Sequence, residues 1–283
     1  MTMKMCWSQL VALAMLSAGG VPVVAQWPGF PTPGPRTPDG KIDDQGPTPR
    51  TAAGKPDFSG LWEPADTKKV SFNGMPPYAF AIPSAPNDPP VAQFFNIGAG
   101  FKEGLPFQPW AAELRATRKA NNAKDNPDAH CLPMGLTQLH MHIQPRKVVQ
   151  TPREIIVLYE ANGNTRQILT DGRQLPNNNP TPWWYGYSAG HWEEDTLVIV
   201  TTGFRDDVWL DVDGSPMTSA GKMTERWRRP SFGLMQVDIT IDDPKTYTKP
   251  FTVRVNHRLM PDTELMEFVC EERDGGHYVG EKK

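Results

Sequence analysis

The stretch MQVDITIDDPKTYTKPFTVRVNHR (235–258) decides the fold. Met235, Val237, Ile239 and Ile241 share one face, with Gln236, Asp238 and Thr240 on the other. Beyond a Pro-bounded connection, Phe251, Val253 and Val255 lie opposite Thr252, Arg254 and Asn256. Side chains alternate across a strand with period two, so each half reads as a strand buried on one side. The same signal recurs upstream. IIVLYE (155–160) and TRQILT (165–170) flank Asn162-Gly163, a pair that tolerates positive φ and predicts a hairpin turn. Residues 190–193 and TLVIVTTG (196–203) flank Glu194-Asp195, and further strands are expected at 223–228 and 265–270. Consecutive antiparallel strands with one buried face predict a mainly β domain, a sheet curved into a barrel or a curved sandwich.

Outward from the strands, Pro109 is placed to open a helix, and Trp110, Leu114 and Thr117 recur at helical spacing, so one helix is expected over about 110–123. Arg115, Arg118 and Lys119 read as its solvated face. The chain contains 30 Pro in 283 residues, most of them before this helix. Residues 26–58 read as a Pro/Gly-rich extended linker or strap, and 64–109 as an irregular part of a single domain over 59–283 whose strands lie mostly within 146–271. No internal repeat of fixed period is read. At the N-terminus Lys4, the apolar run LVALAML (10–16), the breakers Gly19, Gly20 and Pro22, and Val23-Val24-Ala25 make residues 1–25 a signal peptide cleaved after Ala25. The apolar run is too short to span a bilayer, so the mature chain is expected to be periplasmic or secreted, without an integral membrane segment. Its two remaining cysteines, Cys131 and Cys270, then suggest a disulfide, whose loop would be stabilised by roughly 5 kcal/mol in the chain-entropy picture.

The 29 basic and 32 acidic residues are interspersed, which argues against nucleic acid as a partner. There is no nucleophile elbow, phosphate loop, dinucleotide fingerprint or zinc-finger spacing, so no cofactor is expected. Three constellations remain. His140-Met141-His142, if on a strand, would present two imidazoles on one face to a metal. Trp183, Trp184, Tyr185 and Tyr187 exceed what one strand face can bury. With Arg173 and Trp227 they are candidates for contacting a small-molecule ligand. Glu160, which the register places opposite Arg166, Glu225, which shares a face with Met223 and Trp227, and His257, which continues the apolar face of its strand, are candidate acids or bases or structural groups.

FSGLWE (58–63) resembles the Gly-x-Trp opening strand of lipocalin-like barrels, in which the Trp plugs the closed end, and GHWE (190–193) repeats that chemistry. More broadly, PFQPWAAEL, CLPMG (131–135), VVQTP (148–152), DGR (171–173), WYGYSAGHWEEDTLVIVTTGF (184–204), ERWRR (225–229), DDPKTYTKPF (242–251) and EFVCEE (267–272) resemble a widespread, largely uncharacterised family of secreted proteins from environmental bacteria. The family commonly has Gly where Glu194 stands. The resemblance implies secretion and assigns no chemistry. The function expected from the residues is binding of a small, partly hydrophobic sugar, aromatic or lipid-like molecule in a barrel pocket. The alternatives are a cofactor-free lyase, isomerase or hydrolase on a glycoside or aromatic compound, and an envelope interaction protein using the strap.

Overall fold

A computed structural model describes residues 31–65, 85–177 and 180–270. The expected signal peptide and the first residues of the strap (1–30), residues 66–84 of the irregular segment, Asn178-Asn179 and residues 271–283 lie outside the described residues. In chain order the elements are β1 (Gly60–Pro64), α1 (Pro109–Ala120), α2 (Leu136–Met141), β2 (Arg146–Gln150), β3 (Glu154–Tyr159), β4 (Thr165–Leu169), β5 (Tyr187–Glu193), β6 (Thr196–Thr202), β7 (Val208–Trp209), β8 (Pro216–Met217), β9 (Lys222–Arg228), β10 (Leu234–Asp242) and β11 (Phe251–Leu259). Nine strands form a closed barrel in the order β1-β11-β10-β9-β6-β5-β4-β3-β2, and β2 pairs back onto β1. The short β7–β8 hairpin stands apart.

A ring of nine strands cannot alternate direction all the way round, so one neighbouring pair must run parallel. That pair is β4–β5, with Ile168 opposite Ser188 and Leu169 opposite Ala189. The expected all-antiparallel order is corrected at this point. The chain from 170 to 186 crosses from one end of the barrel to the other before re-entering the sheet, and this crossover carries the Trp- and Tyr-rich stretch. Closure also explains why 265–270 is not the expected strand: β11 already has β10 and β1 as neighbours, and no edge is left to pair with. Instead the segment runs over the β3–β4 turn, where Cys270 is at disulfide distance from Cys131, their Cα atoms 5.5 Å apart.

The apolar face read in 235–258 is the core face, while Gln236, Arg254 and Asn256 of the face expected to be polar and open are buried as well. Met235, Val237, Ile239, Ile241, Val253 and Val255 are buried in the barrel core. At the end where β1 begins, Trp62 is fully buried and donates from Nε1 to the Phe58 carbonyl at 2.9 Å. The Arg229 guanidinium covers its ring at 4.8 Å, and Phe58 packs between Trp192 and Trp227. The Trp of the Gly-x-Trp strand therefore closes this end.

The strap finishes the same end, and it contains a repeat that the expectation of none overlooked. Pro-Arg-Thr-x-x-Gly-Lys-x-Asp occurs at 35–43 and again at 49–57. In both copies the Thr N–H and the Lys carbonyl pair (Thr37 with Lys41, Thr51 with Lys55), the Gly sits at positive φ, and the Arg reaches back to the Gly carbonyl. The same Arg then clips the turn to the barrel. Arg36 pairs with Asp262 just beyond β11, and Arg50 pairs with Asp195 in the β5–β6 turn. The repeat is short and lacks apolar periodicity, so a search for structural repeats passes over it.

The opposite end is closed by a second helix where one helix was expected. All six residues of α2 are buried. Leu, Gln and Met are good helix formers, and the single β-branched Thr137 donates to the Leu210 carbonyl while Gln138 donates to that of Trp209. His140 and His142 thus stand at a helix end. His140 is the penultimate helical residue and His142 lies just past the helix with extended backbone, so the strand geometry that would put both rings on one face is absent.

Candidate functional site

Inside the barrel, β9 brings Glu225 between Met223 and Trp227 with no exposure at all. Burial alone would raise its carboxyl pKa. The Arg166 guanidinium, which binds both carboxylate oxygens, and His140 Nε2 at 2.8 Å outweigh that and hold it well below the ordinary range. Trp227 Nε1 adds a bond of 3.1 Å. Arg166 is itself held by Ser188 and Thr201 on β5 and β6. A second buried cation, Arg146, donates to the carbonyls of His140 at 2.8 Å and His142 at 2.9 Å. It therefore caps the end of α2 and meets His257. Desolvation lowers the pKa of His140 and takes that of His257 well below its usual value, so both rings are neutral at pH 7. These groups fasten the plug helix into the barrel. All of them are buried, and His140 Nδ1, Arg146 Nε and His257 Nδ1 have no hydrogen-bond partner.

Glu160 does not face Arg166. It lies past the end of β3, at the start of a 3₁₀ turn over Ala161–Gly163, and burial raises its pKa. It borders a cleft of about 380 Å³ between the β3–β4 turn and residues 265–270. Trp227 belongs to the core, and Arg173 is engaged with Asp171 at the surface. Within the aromatic stretch the side chains separate. Trp183 and Tyr187 stack on each other with centroids 4.4 Å apart, and Tyr185 packs inward. Trp184 alone borders a second cleft. The His140 ring contacts Glu225, while the His142 ring sits edge-on to Phe94 at 5.2 Å. Among the described residues no three His, Cys, Asp or Glu groups converge on a metal position.

The second cleft, of about 390 Å³, lies outside the barrel between α1, the loop after it, and the chain around Trp184 and Asp207. Leu114, Thr117 and Arg118 on one face of α1 and Asn121 just past its end contribute to it, spaced i, i+3, i+4 and i+7. The face expected to be plain solvated surface is what docks the helix. Arg115 and Lys119 each reach Asp213 at 2.8 Å, and Arg118 donates to the Gly214 carbonyl at 3.0 Å. Gly214 has φ +91°, and a Cβ there would come within 2.7 Å of the Arg118 side chain, so the β7–β8 loop accepts the arginine only because it carries glycine. The guanidinium lies 4.2 Å from the Trp209 ring centroid, and desolvation lowers its pKa to about 10. Trp184 is covered on one side by Arg205 at 4.6 Å, which is itself paired with Asp207. Asp125, Pro127, His130 and Leu132 complete the groove.

Of these groups only Trp184 is among the residues singled out from the sequence. Arg118, Asn121, Asp125, Asp207 and Trp209 come from two separate stretches, 118–125 and 207–209, and share no motif. The available signal was the i, i+3, i+4, i+7 row on α1 with polar termini.

The fold and site together define a plugged nine-stranded β-barrel with an aromatic, charge-balanced groove on its outer surface. Comparison with protein-family models, with curated proteins and with solved structures finds no match.

Proposed function

We propose that the protein binds a small, partly hydrophobic molecule outside the cytoplasm, with the groove beside Trp184 as its site. The observation that carries this reading is the groove itself: about 390 Å³ of concave surface in which indole rings and a partly desolvated Arg118 stand among polar side chains. Clefts of this size, apolar in body and with a few placed polar groups, are where small ligands bind. The barrel mouth, the position expected from the strand pattern, is occupied by α2, so the reading moves from the interior to the outer surface. The leader-like N-terminus and the Cys131–Cys270 pair support an oxidising compartment.

The test is tryptophan fluorescence and thermal shift on the mature chain, titrated with neutral sugars, simple phenolics and fatty acids. At least one class should bind, and Trp184→Ala should weaken it by about tenfold, the loss expected when one aromatic anchor is removed from a small site. Unchanged affinity in Trp184→Ala, or no binding by any class at millimolar concentration, overturns the reading.

The enzyme alternative rests on a different observation. Glu160 is a carboxyl kept toward its protonated form at the edge of a cleft, as a general acid would be. Glu225, held ionised and sealed, does not suit that role. Glu160→Gln should abolish any hydrolytic or lyase turnover found with glycosides, whereas turnover that survives it removes this alternative.

A further inference from the structure

We infer that the ligand of the Trp184 groove is a neutral saccharide or the sugar part of a glycoside; this rests on the ligand-binding reading above and narrows it. Three features of the groove separate a sugar from the other candidate classes.

The first is the kind of polar group present. Arg118, Asn121 and Asp125 are planar side chains with two adjacent donors or acceptors, which match vicinal hydroxyls. The Arg118 bond to Gly214 uses Nη1 and fixes the guanidinium, so its other N–H groups are pre-oriented, and Asp125 is close enough to favour its charged form. A phenolic or a fatty acid covering this set would desolvate hydrogen-bonding groups without replacing their partners, at a cost of roughly 1–3 kcal/mol for each group.

The second is charge. Arg118 and Arg205 stand against Asp125 and Asp207, so the groove has no excess of either sign to attract a carboxylate or phosphate. The third is the disposition of apolar surface. Trp184 is half-buried with Arg205 over its ring, and Leu132 is 45% exposed at the rim. Apolar patches set between polar side chains suit a ring with C–H faces and hydroxyl edges. A sterol or acyl chain would want a continuous apolar channel. The open shape of the groove admits a sugar that continues beyond the site.

The experiment uses the mature chain with a panel of neutral oligosaccharides (β-glucans, α-glucans, xylan and chitin fragments), with p-nitrophenol and palmitate as the non-sugar arms. Binding is read by calorimetry and by Trp fluorescence. At least one oligosaccharide should bind, and Asp125→Ala and Asn121→Ala should each weaken it by about tenfold, the equivalent of one lost hydrogen bond to a charged or bidentate group. Both residues are exposed, so their variants should keep the wild-type melting temperature. If p-nitrophenol or palmitate binds in a Trp184-dependent way and no saccharide does, the groove is a ligand site and the saccharide inference fails. If a saccharide binds with equal strength to the Asp125 and Asn121 variants, the assignment of its hydroxyls to this groove fails. Binding of nothing overturns both readings.

Discussion

The barrel interior and the groove are built from the same four kinds of side chain, with opposite outcomes. Inside, Arg166, Glu225, His140 and Trp227 contact one another, and every one of them is at most 2% exposed. In the groove, Arg118, Asp125, His130 and Trp184 line a surface open to water, with the buried Trp209 beneath Arg118. In the interior set the carboxylate receives the guanidinium, the imidazole and the indole N–H, while the other imidazole nitrogen, His140 Nδ1, is buried without a hydrogen-bond partner. The groove set is held apart, with Arg118 tied to a backbone carbonyl and a ring. Among the described residues no carboxylate lies within ion-pair distance of it. Chemical type alone therefore does not mark a functional site. What separates the two regions is whether the charged groups are sealed against one another or open to water.

The largest test of that contrast is Glu225→Gln. It leaves Arg166 buried without a counter-ion and should cost about 3–5 kcal/mol in urea or guanidinium unfolding. Restoring a well-packed apolar pair, as in Arg166→Met with Glu225→Leu, should recover most of the loss. A cost below about 1 kcal/mol for Glu225→Gln would mean that water reaches the barrel interior, and the contrast would collapse.

The next is pH. Burial, helped by nearby Arg146, lowers the pKa of His142 from 6.5 to about 4. The unfolded chain thus takes up the proton more readily. The stability tied to the neutral ring is complete above pH 6.5 and is lost as pH falls through about 4, on the order of 3 kcal/mol for this ring. His140 and His257 shift in the same direction and add to the slope. Denaturant midpoints measured from pH 7.5 to 4 should fall steadily, and His142→Gln should flatten the curve. A flat wild-type profile would contradict the sealed interior.

Cys270→Ser sharpens the comparison at intermediate size. The sequence separation of 139 residues predicts a large loop-entropy effect, near 5 kcal/mol in the ideal model. The bond ties down residues 265–270, which lie outside the sheet, so its loss should release that segment and cost only about 2 kcal/mol. Hydrogen exchange should show faster exchange at the β3–β4 turn and unchanged protection in β9 to β11. The smallest effect is expected for Asp125→Asn in the groove, within about 0.5 kcal/mol of wild type. A larger cost would show that the groove is fastening after all.

Much of the barrel was legible because strand alternation is a local signal. Seven of its strands lie where apolar runs and turn residues put them, from Ile155 to Arg258, and Trp62 is buried toward one end of the barrel. The Cys131–Cys270 pair followed from counting. Other features depended on what the whole sheet requires. The parallel β4–β5 pair follows from an odd number of strands in a closed ring, and the non-strand at 265–270 follows from the absence of a free edge. The α2 plug was hidden because a helix buried on all sides has no amphipathic stripe, and His140-x-His142 fits a strand motif equally well. Glu225 was read as sharing a face with Met223 and Trp227, and its ion-pair partner is Arg166, 59 residues away. The groove was the least legible part, with one of its indoles recognised and its arginine taken for surface.

By itself the amino-acid sequence determined the class of the fold and the cysteines that pair. These rest on periodicity, on local turn chemistry and on a count of two. Only the tertiary structure decided which charged residues are sealed and which face water. That depends on the desolvation and pairing of groups brought together from distant segments, and no local pattern records it.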